Sequence, residues 1–251
     1  MLTPIDLSDA QAGSLLGRTS PLVKLGLAIA WLVGLALTLQ PGPPLILASV
    51  AIASGLVLGR TPPRHLARAL APLAAAAASI AIANLLFSAS NSDPGASELA
   101  RIGPFRFTRE AAGAAAALAA RMLAIVSVGA VFAQTTDPTR LVDALVQQAR
   151  VSARFAYGAL AAYQAVPRLA EDLATLRQAR RIRGIGGGWH PRVLLGLLVR
   201  AIRHADQLAL AMDARAFGSG PRTTYRPIRW GWPDLLIGVG GLGALWLSLL
   251  R

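Results

Sequence analysis

Five long stretches almost free of charge constrain this chain more than any other feature of its sequence. They cover residues 22–39, 45–58, 70–87, 111–133 and 235–250. A helix that crosses a bilayer needs about 20 consecutive apolar residues, within a range of roughly 17 to 25. Residues 22–39 are interrupted only by Lys24, close enough to the end for its ammonium to snorkel to the surface. Residues 45–58 are short and need their flanks to reach across. Residues 70–87 are mostly Ala, Leu and Ile, with Asn84 as the one strongly polar member. Residues 111–133 are long enough but hold Arg121 near the middle, and residues 235–250 are short and glycine-rich. Composition agrees with this reading: 54% of the residues are hydrophobic and 15% charged, whereas soluble domains are nearer about 25% charged. The mean hydropathy is +0.51. The pattern predicts an all-α polytopic membrane protein with about five transmembrane helices, rather than buried core helices of a soluble protein.

The charge distribution sets the expected orientation. The net charge is +13, and Lys24 is the only lysine among 25 basic residues. Basic chains bind nucleic acid, anionic lipid or acidic partners, and the high hydrophobicity argues against nucleic acid. Arginines near membrane segments mark the cytoplasmic side. Arg18 and Lys24 precede the first stretch, and Arg60, Arg64 and Arg68 lie between the second and third. Residues 135–232 hold 15 Arg against 6 Asp plus Glu. Residues 40–44 have no basic residue, and residues 88–110 have Arg101, Arg106 and Arg109. Five spans with the N-terminus inside satisfy this distribution, with Asn91-Ser92-Asp93-Pro94-Gly95 as an external turn. Residues 1–17 are polar, contain Asp6 and Asp9, and do not resemble a cleavable signal. The chain therefore divides into a four-span region at 1–134, an extramembrane region at 135–232 and a last span at 233–251.

Residues 135–232 read as helices. Thr136-Asp137-Pro138 is a helix start, because Asp caps and Pro suits the first helical position. Leu141, Val142, Leu145, Val146 and Ala149 follow at helical spacing. Pro167 is expected to kink or restart the next helix, which runs on toward Gly184. Gly186-Gly187-Gly188 breaks it, and Pro191 opens another. There Leu198, Ile202, Ala205, Ala209 and Met212 form an apolar stripe, with Arg200, Arg203, His204 and Gln207 on the other side. Helices this amphipathic lie along a membrane or pack beneath a bundle.

Catalytic motifs are sparse. A P-loop needs Gly before Lys and then Ser or Thr, but Lys24 stands between Val23 and Leu25. Gly238, Gly240 and Gly243 match G-x-G-x-x-G without a strand before them, and read more simply as helix-packing positions. His65, His190 and His204 are far apart, and the chain has no cysteine, so no metal site is expected. Asn84 and Arg121 are candidates for an intramembrane polar contact, since an arginine in mid-span faces protein or water. The simpler reading has Arg121 bonded to helix carbonyls or to Asn84.

Two arginine-bearing helix ends remain. They are Ile182-Arg183-Gly184 and Ala214-Arg215-Ala216. On spacing alone, a cation at a helix C-terminus gains only about 0.3–1 kcal/mol from the helix dipole, and Arg-Gly is an ordinary helix ending. These segments nevertheless resemble the paired Ala-Arg-Gly motifs of the transmembrane (T) component of energy-coupling-factor (ECF) transporters, the cobalt-transport Q-type family. The resemblance covers residues 18–226. Gln134-Thr135-Thr136-Asp137-Pro138-Thr139-Arg140-Leu141 is similar to the family's exit from the membrane. Ala209-Leu210-Ala211-Met212-Asp213-Ala214-Arg215, followed by Phe217-Gly218 and Arg222-Thr223, is the most specific match. Both motif arginines are present, but Ile182 replaces Ala and Ala216 replaces Gly. Ser20-Pro21-Leu22-Val23-Lys24 loosely matches the Asp-Pro-Arg-x-Lys pattern before the first span, without its Asp and middle Arg.

The resemblance implies a non-catalytic coupling subunit in a bacterial or archaeal cytoplasmic membrane. Two ABC-type ATPase subunits would bind the amphipathic coupling helices through Arg183 and Arg215. A separate integral membrane subunit would capture a vitamin or a transition-metal ion such as cobalt or nickel. This chain would bind no cofactor, and ATP-Mg would sit on the partner ATPases. Two other classes stay open on the residues alone: a self-sufficient permease or channel, and a membrane enzyme acting on phosphorylated substrates.

Overall fold

The computed structural model describes residues 11, 13–38, 40–92, 95–102, 105–185, 190–220 and 223–250. The chain forms two compact units. One comprises Pro138–Ile228; the other runs up to Asp137 and resumes at Arg229. The Gly186-Gly187-Gly188 break, Arg222 and part of the 91–95 turn lie outside the described residues.

The first unit is a helix bundle. Its elements are the single turn α1 (Leu15–Arg18), then α2 (Pro21–Leu37), α3 (Gly42–Val57), α4 (Pro63–Phe87), α5 (Arg109–Thr135) and α9 (Trp232–Leu249). Three helices are long and apolar enough to cross a membrane by themselves: α5, α9, and α4 with the 3-10 turn after it. The α2 and α3 helices are equally apolar but shorter, with 17 and 16 residues. The core gathers Trp31 and Leu35 from α2, Leu47, Ala48 and Ala51 from α3, and Ala124 and Val128 from α5. Large apolar side chains such as Leu37, Phe87, Leu235 and Val239 stay exposed, as lipid-facing positions must.

Polar contacts fix the helix directions. The Ser20 amide donates to Asp234 Oδ1 at 2.6 Å, which puts the starts of α2 and α9 together. Farther along, Trp31 Nε1 donates to the Gly241 carbonyl at 2.9 Å, so the two helices run parallel. The Leu16 amide donates to the Leu58 carbonyl, and Gln134 Nε2 donates to the His65 carbonyl. One face of the bundle thus holds the start of α2, the end of α3, the start of α4, the end of α5 and the start of α9. The five apolar helices therefore alternate in direction, and the end of α5 and the start of α9, between which residues 138–228 are inserted in the chain, share that face.

Two details differ from the sequence reading. Lys24 does not snorkel: it is buried, and its Nζ donates to the Thr135 carbonyl at 2.6 Å. The 88–110 connection is not only a turn. It forms an antiparallel hairpin of β1 (Glu98–Ile102) and β2 (Phe105–Thr108), with Ala100 opposite Phe107 and Arg101 opposite Arg106. Thr108 closes the hairpin and caps α5, its hydroxyl accepting from the Ala111 amide.

The second unit contains α6 (Pro138–Gln147), α7 (Ala153–Ile182) and α8 (Pro191–Ala214). The expected helix starts at Pro138 and Pro191 are present. Pro167 lies inside α7, which is assigned as one helix of 30 residues. The missing N–H frees the carbonyl of Tyr163, one turn back, and Tyr163 is exposed. Within the 138–228 unit, the face of α8 that is buried is not the apolar stripe read from the sequence, which stays mostly exposed. Val193 is buried, and Leu197, Ala201, His204, Leu208 and Met212 are half-buried, whereas Leu198, Ile202, Ala205 and Ala209 are exposed. His204 thus joins the packed side, and Arg200 pairs with Asp172 of α7 at 2.9 Å.

Candidate functional site

The two arginine motifs fold into the same structure. Arg183 is the C-cap of α7 (φ −81°, ψ 9°) and Arg215 is the C-cap of α8 (φ −94°, ψ 15°). After each comes a residue in the left-handed region, Gly184 at φ +69° and Ala216 at φ +52°. At the first end, the Gly184 amide donates to the Arg181 carbonyl and the Ile185 amide to the Arg180 carbonyl, both at 3.0 Å. At the second, the Ala216 amide donates to the Asp213 carbonyl at 2.9 Å and the Phe217 amide to the Met212 carbonyl at 3.0 Å. This is the paired 5→2 and 6→1 bonding of a Schellman ending. Replacing Gly with Ala at 216 therefore keeps the turn, at the cost of holding a side chain where L-residues lose about 1–2 kcal/mol. In both cases the arginine is the last residue before the chain reverses, and both arginines are exposed.

The surroundings of the two ends differ. Arg183 follows Arg177, Arg180 and Arg181, and Ile182 beside it is 87% exposed. Arg215 follows Asp213, and its turn is held from behind. The Phe217 ring meets the Tyr157 ring edge-on, with centroids 6.1 Å apart and planes at 80°. Tyr157 donates its hydroxyl to Asp143 Oδ1 at 2.7 Å, and Asp143 is buried on α6. Arg154 Nη2 donates to the Gly218 carbonyl at 3.2 Å. Gly218 has φ +80°, and a side chain there would strike Arg154. Gln147 at the end of α6 clamps the return segment, donating to the Arg226 carbonyl at 3.0 Å and accepting from the Ile228 amide at 2.9 Å. The hydrogen bond to Asp143, and after it partial burial, push the Tyr157 hydroxyl up to about 12. The sequence singles out Arg183 and Arg215 as helix ends, but not Asp143, Gln147, Arg154 or Tyr157, which hold the second of them. Their bonds join positions well apart in the chain, and no local spacing announces them.

Among the described residues no hydrogen bond joins Asn84 to Arg121, and Arg121 takes the helix-carbonyl alternative. The Arg121 guanidinium donates to the carbonyl of Thr38, the C-cap of α2. It closes a helix end that would otherwise leave carbonyls unmet in an apolar region. Lys24 does the same for α5 from the other direction. A cavity of about 190 Å³ in this bundle is lined almost wholly by apolar side chains, with Lys24, Ser54 and Thr135 as its polar members. Among the described residues, no group of three His, Asp or Glu side chains is placed to hold a metal ion.

Five alternating apolar helices, with a basic helical unit inserted before the last in the chain, define a multi-pass membrane protein. The chain belongs to the CbiQ family, described as cobalt transport protein, whose profile matches residues 12–225. It is 28% identical to the energy-coupling factor transporter transmembrane protein EcfT of Heliobacterium modesticaldum, over 97% of this chain and 98% of that one. It is 27% identical to EcfT of Listeria innocua, over 61% and 66% of the two chains. It is also 28% identical to a putative ABC transporter ATP-binding protein of Bifidobacterium longum, over 49% of this chain and 18% of that one. The family is that of the transmembrane component of ECF transporters.

Proposed function

We propose that this chain is the coupling subunit of an ECF-type importer. In this reading Arg183 and Arg215 each enter a groove on one of two ABC-type ATPase subunits, on the cytoplasmic side of the cell membrane. The bundle engages a separate membrane subunit that captures a vitamin or a cobalt or nickel ion. The chain itself is not an enzyme; ATP-Mg binds to the ATPases. The observation that carries the reading is the identical C-cap geometry of the two arginines. It presents one planar, permanently charged fork of donors twice, as two related sockets require. The name of the Bifidobacterium longum relative supports an ATPase partner. The exposed apolar side of α8, with Leu195, Leu198 and Ile202, supports docking against another membrane subunit.

Truncating one partner of a buried, hydrogen-bonded charge pair costs about 2–5 kcal/mol of binding. Arg183→Ala and Arg215→Ala are therefore expected to weaken ATPase association or uncouple hydrolysis from uptake, while the chain still inserts and folds. Arg177→Ala and Arg203→Ala serve as controls. The measurement is co-purification with the ATPases together with substrate uptake in membranes. Full complex and full uptake in the double variant Arg183→Ala/Arg215→Ala would leave the arginines as plain helix ends.

A further inference from the structure

We propose that Tyr157 is a positioning residue that ties the Arg215 helix end, but not the Arg183 end, to the root of a transmembrane helix. The inference rests on the coupling role of Arg215. Its content is a chain of contacts within the 138–228 unit. Phe217, two residues beyond Arg215, packs edge-on against Tyr157. Tyr157 donates to Asp143, which is buried on α6. The α6 helix begins at Pro138, and only Thr136 and Asp137 separate it from the membrane-spanning α5. A push on Arg215 therefore reaches the foot of α5 through two side-chain contacts and one short helix.

Arg154 strengthens the link from the same helix as Tyr157. It holds the Gly218 carbonyl, and the missing side chain at Gly218 lets it lie there. The turn after Arg215 is thus anchored to the first two turns of α7 by both ring and backbone. At the other end, among the described residues, no side-chain hydrogen bond or ring contact holds Arg183, Gly184 or Ile185 from behind. The two helix ends have the same local fold, and among the described residues only the second is held by side-chain contacts from behind. One transmits displacement and the other accommodates it.

The test uses the complete transporter in proteoliposomes and reads substrate moved per ATP hydrolysed, complex yield and thermal stability. Tyr157→Ala is expected to lower the transport-to-hydrolysis ratio about tenfold, the change that about 1.4 kcal/mol of coupling energy gives. Complex yield should stay unchanged. Tyr157→Phe keeps the ring contact and loses the Asp143 bond, and should show a smaller drop. Phe217→Leu, which keeps bulk and loses the edge-on contact, guards against misfolding of the alanine variant and should also lower the ratio. In the double variants, Tyr157→Ala should add nothing to Arg215→Ala but should multiply the defect of Arg183→Ala. Additive losses with Arg215→Ala, or a normal ratio in both Tyr157→Ala and Phe217→Leu, would overturn the positioning role alone. A normal ratio in Arg215→Ala would remove the coupling role and this inference with it.

Discussion

Ala216 holds a conformation that its counterpart Gly184 adopts without cost. Both sit at the first residue past a helix C-cap with positive φ, yet only one carries a Cβ. Ala216→Gly should therefore stabilise the protein by about 1 kcal/mol. In a chain of this size that is a rise of roughly 2–4 °C in Tm. ATPase association should not change, because Arg215 keeps its cap geometry. A fall in Tm would mean that the Ala216 methyl group makes a packing contact worth more than the strain. Tyr157 gives a second test at this scale. Its folded pKa of about 12 lies above the unfolded value of about 10. The protonated hydroxyl is thus favoured in the folded protein. Its contribution is complete below about pH 10 and is lost as pH rises through about 12. The tyrosinate absorbance difference between the wild type and Tyr157→Phe should appear only above pH 10, together with a loss of stability that the variant lacks. A difference titrating near pH 9 would contradict the bond to Asp143.

Helix packing separates what local sequence carries from what it does not. The α2 and α9 helices interlock through glycines. Leu245 fills the space at Gly34, and Leu27 fills the space at Gly241. Gly241→Val should drive a branched side chain into Leu27 and cost about 1–3 kcal/mol, measured by thermal unfolding in detergent. Gly243→Val, at an open position, should be nearly neutral. Equal effects would remove the interlock. Of the three glycines that the sequence suggests as packing positions, Gly240 and Gly243 face open space and Gly238 makes only an ordinary contact with Val23; the close approach is at Gly241, which the motif spacing skips. Residues 191–214 show the same limit. Their helical period and their start at Pro191 were plain, because both depend on neighbours in the chain. Which face would pack was not, because the partner decides it. The α7 face offers Gly158, Ala161, Ala162 and Ala165, and α8 sets His204 and Leu208 against it while its richest leucine face stays outside. The hairpin at Glu98–Thr108 escaped notice for a related reason. Its two strands are 5 and 4 residues long, too short for alternation to stand out.

At the scale of the bundle, the crossing pattern puts the starts of α2, α4 and α9 on one face, and with them the end of α5, where the chain leaves for residues 138–228. If that face is cytoplasmic, as the arginine distribution requires, cysteines at Ser219 and Ser92 should behave oppositely. An impermeant thiol reagent added outside intact cells should label Ser92→Cys and spare Ser219→Cys, with no native cysteine to interfere. External labelling of Ser219→Cys would invert the arrangement. The five apolar stretches, and Arg183 and Arg215 as helix ends, were legible because length, composition and helix endings are local properties. The cations inside the bundle were legible only as anomalies.

Lys24 and Arg121 each close the carbonyl end of the other's helix, and this has a consequence for biogenesis. Neither charge meets its counterpart until both helices are present. A nascent chain exposes α2 to the insertion machinery some eighty residues before α5 is made. An arginine at mid-helix costs about 2.5–3.5 kcal/mol to insert alone. That cost falls on α5, whose acceptor at Thr38 is already made, whereas Lys24 of α2 is the cation whose acceptor, the Thr135 carbonyl, comes last. Pairing of the first of the two cations made is thereby tied to completion of the fourth apolar helix, which ends at Thr135.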